Sequence, residues 1–105
     1  MKEKYLPIGS VVILKNATKK IMISGYFAID NDEPDIIYDY SGCLFPEGFL
    51  GSDQSLLFNH DQIKELFFEG YVNPEQETFS KKLLDVEKEL KNIPKKDIDT
   101  LDIDE

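Results

Sequence analysis

The sequence contains no arginine and no tryptophan, and it has one cysteine and one histidine. A chain without arginine and with a net charge of −9 is a poor candidate for binding nucleic acid, whose phosphates require basic residues. The same charge argues against an anionic membrane surface, which attracts basic segments. A single cysteine cannot form an internal disulfide, so the fold does not depend on an oxidising compartment.

Long hydrophobic segments are also missing. Residues 1–10 (MKEKYLPIGS) carry charges but no apolar core of signal-peptide length. No apolar run approaches the roughly 20 residues that cross a bilayer. We therefore expect a cytoplasmic protein without a membrane-inserted segment. A chain of 105 residues has the length of one domain with one modest core.

The usual arrangements of metal-binding and catalytic residues are absent as well. One cysteine and one histidine exclude the common zinc spacings. The acidic stretch that begins at Asp30 has Asp35 and Ser41 where a calcium-binding loop needs glycine and glutamate. His60 lies beside Asp61, but no serine or second histidine is placed to complete a catalytic set. We expect no enzyme activity, no metal and no cofactor.

Short apolar runs separated by turn residues predict a β-rich body over residues 1–72. Strands are expected at residues 11–14, 20–29, 36–40 and 66–71, although a helix from His60 to Phe68 is an alternative for the last of them. Strict alternation along residues 20–29 puts Ile23 on one face and Tyr26 on the other. Gly25, in the middle of that strand, predicts a bulge.

Two helix starts are indicated by capping residues. Asn59 predicts a short helix near His60, and Asn73 followed by Pro74 predicts a longer one over residues 73–94. An apolar stripe at helical spacing runs along the longer helix and consists of Phe79, Leu83, Val86, Leu90 and Ile93. The stripe either packs on the β body or docks a partner. Residues 95–105 form an acidic tail without a packing pattern.

The stretch from Tyr38 to Ile63 is rich in aromatic and turn residues. Within it, Phe45, Phe49 and Leu50 surround the turn Pro46–Gly48. These three side chains are either part of the core or an exposed patch of the kind that is enriched at protein interfaces. The fold class that follows is α+β: a small bent antiparallel sheet or partly open barrel, with a short helix and a C-terminal amphipathic helix.

Three motifs together resemble the domain of unknown function 4176 family: YDYSGCLFPEG at residues 38–48, FNHDQI at 58–63 and FEGY at 68–71. The similarity covers about residues 5–80. That family is similar to proteins encoded beside LXG toxins in type VII secretion loci of Gram-positive bacteria. The resemblance implies a small cytosolic accessory protein, which acts as a chaperone or targeting factor for a secreted LXG toxin or contacts another secretion component. It implies no catalytic residue.

The leading hypothesis is therefore an adaptor that binds a toxin through apolar surface and supports its export. The predicted partner-binding residues are Phe45, Phe49, Leu50, Phe79, Leu83, Val86, Leu90 and Ile93. An alternative hypothesis is an acidic, immunity-like protein that inhibits a basic toxin domain. An enzyme that depends on His60 and Asp61 is a third and weaker hypothesis. The sequence does not indicate an oligomeric state.

Overall fold

The computed structural model describes residues 5–91, which form five strands and one long helix. The elements are β1 (Val11–Leu14), β2 (Lys20–Asp30), β3 (Glu33–Leu44), β4 (Leu56–Phe58), β5 (Ile63–Phe68) and α1 (Pro74–Lys91). Short 3₁₀ turns at Ser52–Gln54 and His60–Gln62 precede β4 and β5. Ile93 and the acidic tail at residues 95–105 lie outside the described residues.

The strands form one antiparallel sheet in the order β4-β3-β2-β1-β5. The sheet is open, with β4 at one edge and β5 at the other. The long β2–β3 hairpin is its centre, and β1 extends it by pairing with both β2 and β5. With α1 this sheet confirms the predicted α+β class.

The bulge predicted at Gly25 is present as a register shift between Ile23 and Gly25. Ile23 lies opposite Gly42, whereas Tyr26 lies opposite Tyr40. Residues directly opposite each other share a face, so the extra residue on β2 brings Tyr26 onto the face of Ile23. The expectation that Tyr26 lies on the opposite face was wrong, because it assumed strict alternation through the bulge.

Strand β5 begins at Ile63 and continues to Phe68, so the strand interpretation is confirmed over the helical alternative. Its pairing with β1 has two register shifts, one at each end of the contact. In the preceding turn, the Asn59 amide donates to Gln62 Oε1 (2.8 Å). The start of α1 also matches its prediction, because Asn73 Oδ1 accepts a hydrogen bond from the Gln76 amide (2.9 Å) ahead of the first turn.

One hydrophobic core joins the N-terminal segment, the sheet and the helix. Its buried members are Tyr5, Val12, Ile21, Ile23, Tyr40, Phe58 and Leu83. Helix α1 contributes Leu83, and the ring of Phe79 packs against that of Tyr26 with centroids 6.0 Å apart. Since fully burying one large apolar side chain is worth about 1.5–3 kcal/mol, these contacts hold α1 on the sheet.

Candidate functional site

The predicted partner-binding residues that follow β3 lie on an exposed turn, Phe45–Leu50, which we call the apolar loop. The exposed fraction is 40% for Phe45, 70% for Phe49 and 56% for Leu50. The loop is closed by a hydrogen bond from the Gly48 amide to the Leu44 carbonyl (2.8 Å). Gly48 has a positive φ of 86°, which glycine adopts without steric cost. The turn therefore displays three apolar side chains to solvent.

Two contacts fix the apolar loop to the start of β2. The Phe45 amide donates to the Lys20 carbonyl (3.0 Å), and Lys19 Nζ lies 2.8 Å from a carboxylate oxygen of Glu47. The hydrogen bond from Lys19 lowers the pKa of Glu47 below its usual value. Both charged side chains remain partly exposed, so the ion pair itself is weak. Together with the backbone bonds, it ties the loop to the residues at the start of β2.

The helical stripe divides into buried and exposed members. Leu83 is 5% exposed and belongs to the core, which corrects the expectation that it is displayed to a partner. Phe79 and Val86 are 48% and 37% exposed, and Leu90 is half-buried. Binding of a partner by these residues stays a prediction, as it does for Ile93, which lies outside the described part of the chain.

A second group of side chains, two of them buried and one half-buried, forms a cluster that the sequence did not indicate. The rings of Tyr5, Tyr26 and Tyr40, which we call the tyrosine cluster, have centroids 5.6–5.9 Å apart. Edge-on and tilted aromatic contacts at this distance stabilise beyond the area that they bury. Phe58 stacks on Tyr40 from β4, with 5.4 Å between centroids. The cluster therefore links the N-terminal segment to β2, β3 and β4.

Each hydroxyl of the tyrosine cluster makes a hydrogen bond inside the protein. Tyr26 donates to the Leu6 carbonyl, and Tyr5 donates to Asp39 Oδ1 (3.3 Å). Tyr40 accepts a hydrogen bond from the Leu6 amide (3.1 Å), and its oxygen lies 2.7 Å from His60 Nδ1. Buried hydroxyls need such partners, since an unsatisfied one costs about 1–3 kcal/mol.

Asp39 ties this cluster to the turn before β5. Its Oδ2 accepts a hydrogen bond from the His60 amide (2.8 Å), and its own amide donates to Asn59 Oδ1 (3.0 Å). Asp39 is 5% exposed, and a buried carboxylate is stable only when it is hydrogen-bonded. The only histidine of the chain is thus part of a network that joins β3 to the His60–Gln62 turn.

The tyrosines hold their protons more tightly than free tyrosine. Burial raises the pKa of Tyr26 to about 12. Burial is also the largest cause of the raised pKa of Tyr5 and of Tyr40, and the charge of Asp39 acts in the same direction. All three phenols are therefore neutral at physiological pH. The hydroxyl beside His60 belongs to Tyr40, and a phenol with a raised pKa is a weak proton donor.

Within residues 5–91, no group of three histidine, cysteine or acidic side chains is arranged to hold a metal ion. Cys43 is buried on β3. In the same part of the chain, no helix is long and apolar enough to cross a membrane.

Sequence reasoning missed the tyrosine cluster because its members meet through long-range contacts. Tyr5 and Asp39 are 34 residues apart, as are Leu6 and Tyr40. No local spacing indicates such a pairing. The register shift at Gly25 is also required, because it places Tyr26 opposite Tyr40.

A family model described as a domain of unknown function (DUF4176) matches residues 5–79. That range contains the whole sheet, the tyrosine cluster, the apolar loop and the beginning of α1. No curated protein and no solved structure gives a significant match.

Proposed function

The chain belongs to the DUF4176 family, and on that premise we propose that it is a non-catalytic adaptor or chaperone that binds an LXG-type toxin and supports its export by type VII secretion. The identity of the partner follows from the family resemblance described above. The observation that supports a binding function is the apolar loop, which exposes Phe45, Phe49 and Leu50 on a hydrogen-bonded turn.

Exposed phenylalanine and leucine side chains on one short turn are suited to protein contact. Clustered apolar side chains in solvent mark interaction surfaces more often than single ones do. Aromatic residues are enriched at interfaces, and a few anchors carry most of the binding energy. Phe49, at 70% exposed, is the most exposed of the three apolar side chains of the loop and can bury much of its area in a partner.

The fixed conformation of the loop also supports binding. A loop that is already ordered before association loses less conformational entropy when its partner binds. The hydrogen bonds from Gly48 and Phe45 and the Lys19–Glu47 pair order the apolar loop in the free protein. The exposed stripe residues Phe79 and Val86 offer a second apolar contact on α1.

The proposed mechanism is stoichiometric binding rather than turnover. The adaptor covers a hydrophobic segment of the toxin in the cytoplasm, keeps it soluble and competent for export, and releases it to the secretion machinery. Covering apolar surface removes it from water, which is the main driving force in protein association.

Co-purification with separate N-terminal and C-terminal fragments of an LXG toxin tests this function. We expect binding to the N-terminal helical targeting region. Binding only to the C-terminal toxin domain would support a domain-specific chaperone or an inhibitor instead. Binding to neither fragment would contradict the proposed partner.

A variant with Phe49→Asp and Leu50→Asp tests the surface. Both positions are exposed, so stability should change by about 0.5 kcal/mol or less while co-purification with the toxin is lost. The matched control is Tyr71→Asp, which adds a charge at a 78% exposed aromatic position outside the loop and should bind normally. Equal binding by all three proteins would exclude the apolar loop as the contact.

An acidic inhibitor of a toxin domain is the second candidate, and the net charge of −9 favours it. Electrostatic inhibition of a basic domain predicts binding that weakens steeply with salt and a complex without toxin activity. Binding through the apolar loop predicts little salt dependence. Measuring affinity and toxicity across a range of ionic strength separates the two functions.

A further inference from the structure

A groove lies at the turn end of the β2–β3 hairpin, and none of the apolar loop residues is part of its lining. One wall is the end of β2 and the turn after it, and the other is the segment from Ser52 to Leu57 that leads into β4. The groove encloses about 590 Å³. Ligand-binding clefts in proteins commonly have volumes of about 300–1,000 Å³. It is therefore large enough to receive side chains of another molecule.

The lining of the groove combines an apolar part with carboxylates. Ile29, Tyr38, Leu56 and Leu57 provide the apolar part. Asp30, Asp32 and Asp53 supply three carboxylates, and no lysine is among the lining residues. The amide of Asp32 donates to Asp30 Oδ1 (3.0 Å), which holds the two acidic residues of the hairpin turn next to each other.

We propose that this groove binds a lysine- or arginine-bearing extended peptide segment of a partner protein. The stem of a lysine or arginine packs on apolar surface while its charged head reaches a polar rim. The apolar part of the groove suits the stem, and the carboxylates of Asp30, Asp32 and Asp53 suit the charged head. The groove thus matches the side chain in both hydrophobicity and charge.

Other occupants fit this chemistry less well. A metal ion is disfavoured because the described residues include no group of three ligating side chains arranged to hold one. Nucleic acid is disfavoured because its phosphates would face three carboxylates. A basic peptide segment satisfies the charge and also uses Leu56, Leu57 and Tyr38. The inference is independent of the proposed toxin partner and of the apolar loop.

A synthetic peptide provides the test. The probe is a short acetylated and amidated peptide with lysine between two leucines, titrated into the isotopically labelled full chain while amide chemical shifts are recorded. We expect saturable shifts at residues 29–32 and 52–57. The same peptide with norleucine in place of lysine should bind at least about tenfold more weakly, which corresponds to about 1.4 kcal/mol.

The charge-neutral variant D30N/D32N/D53N should reduce affinity for the lysine peptide by about tenfold, because the lysine ammonium no longer faces the three carboxylates of the groove. Asparagine keeps the side-chain oxygen that accepts the Asp32 amide, so the turn is preserved. The matched control D61N/E65Q/E69Q removes three exposed charges outside the groove and should bind as the original chain does.

Three outcomes would overturn the proposal: no saturable shifts, shifts outside the groove, or equal affinity for the lysine and norleucine peptides. Equal weakening by both triple variants would also overturn it, because net charge alone would then explain the binding. None of these outcomes changes the expected co-purification with a toxin fragment, so the two proposals fail separately.

Discussion

Tyr40 and Phe49 come from the same aromatic stretch of the chain, yet Tyr40 is fully buried and Phe49 is 70% exposed. The tyrosine cluster and the apolar loop differ in what surrounds them. Tyr26 and Tyr40 lie on paired strands, Tyr5 packs on them from the N-terminal segment, and all three hydroxyls are hydrogen-bonded. The loop follows the last residue of β3, where strand pairing stops. Burial therefore depends on tertiary position more than on the type of side chain.

The largest expected effect compares a buried and an exposed residue of the same helix. Leu83→Ala should lower the free energy of unfolding by about 2–5 kcal/mol, because it opens a cavity in the core. Val86→Ala, at a 37% exposed position, should cost about 0.5 kcal/mol. Urea unfolding followed by circular dichroism measures both. Similar losses for the two variants would mean that the helix is not held on the sheet through Leu83.

Removing one hydroxyl from the cluster should have the next largest effect. Tyr40→Phe leaves the Leu6 amide without its acceptor and removes the partner of His60 Nδ1. We expect a loss of about 1–3 kcal/mol in the free energy of unfolding. Tyr71→Phe is the control, since Tyr71 is 78% exposed and should tolerate the change. An unchanged stability for Tyr40→Phe would show that the buried network contributes only packing.

The raised tyrosine pKa values predict loss of stability in alkali. Tyr26 releases its proton near pH 10 in the unfolded chain but only near pH 12 in the folded protein. The stability that protonated Tyr26 contributes to the fold is therefore fully present below pH 10. It is lost between pH 10 and pH 12, by about 1.4 kcal/mol per pH unit. The raised pKa values of Tyr5 and Tyr40 also predict a loss of stability at alkaline pH.

Urea unfolding at a series of alkaline pH values measures this loss. Tyr26→Phe should make the free energy of unfolding fall less steeply with pH. The near-ultraviolet titration of phenolate follows the ionisation of tyrosine in the same samples. Ionisation of all five tyrosines of the chain at the ordinary pH, without unfolding, would contradict the buried positions of the cluster.

The smallest expected effect concerns the anchor of the apolar loop. Lys19→Met removes the hydrogen bond that lowers the pKa of Glu47, so this pKa should rise toward its usual value. The stability that the lowered pKa of Glu47 supplies is present above the pKa of Glu47 in the unfolded chain and is lost as the pH falls. The Lys19→Met variant should lack this stability at every pH. Nuclear magnetic resonance titration of the Glu47 carboxyl measures the change. Lys64→Met is the control and should leave this pKa unchanged.

Elements with a local cause were predictable from the sequence. β-Branched runs predicted β1 and β2, Asn73 and Pro74 predicted the start of α1, and Gly25 predicted the bulge. Each of these features depends on residues that are close together in the chain. The face of Tyr26 was not predictable, because one additional residue in a strand reverses the alternation beyond it.

The candidate sites were predictable only in part. The turn residues around Gly48 indicated the apolar loop, but the sequence left core and surface positions equally open for Phe45, Phe49 and Leu50. On α1 the stripe showed which face is apolar, whereas the exposure of each member depends on its tertiary contacts, which bury Leu83 and leave Phe79 half exposed. The groove at Asp30 and Asp53 joins two segments that no sequence spacing relates.

Ser10 connects the beginning and the end of the β body. Its hydroxyl donates to the Pro7 carbonyl (2.7 Å) and accepts a hydrogen bond from the amide of Gly70, which lies 60 residues further along the chain. A side chain at Gly70 is excluded, because its Cβ would lie 2.1 Å from the Ile8 carbonyl oxygen. Contacts between such distant residues form late in a conformational search, and chains dominated by them fold in milliseconds to seconds. During that interval the edge of β1 that β5 covers in the folded sheet is unpaired. Until β5 pairs with it, this edge of β1 is open to pairing with a strand of another chain.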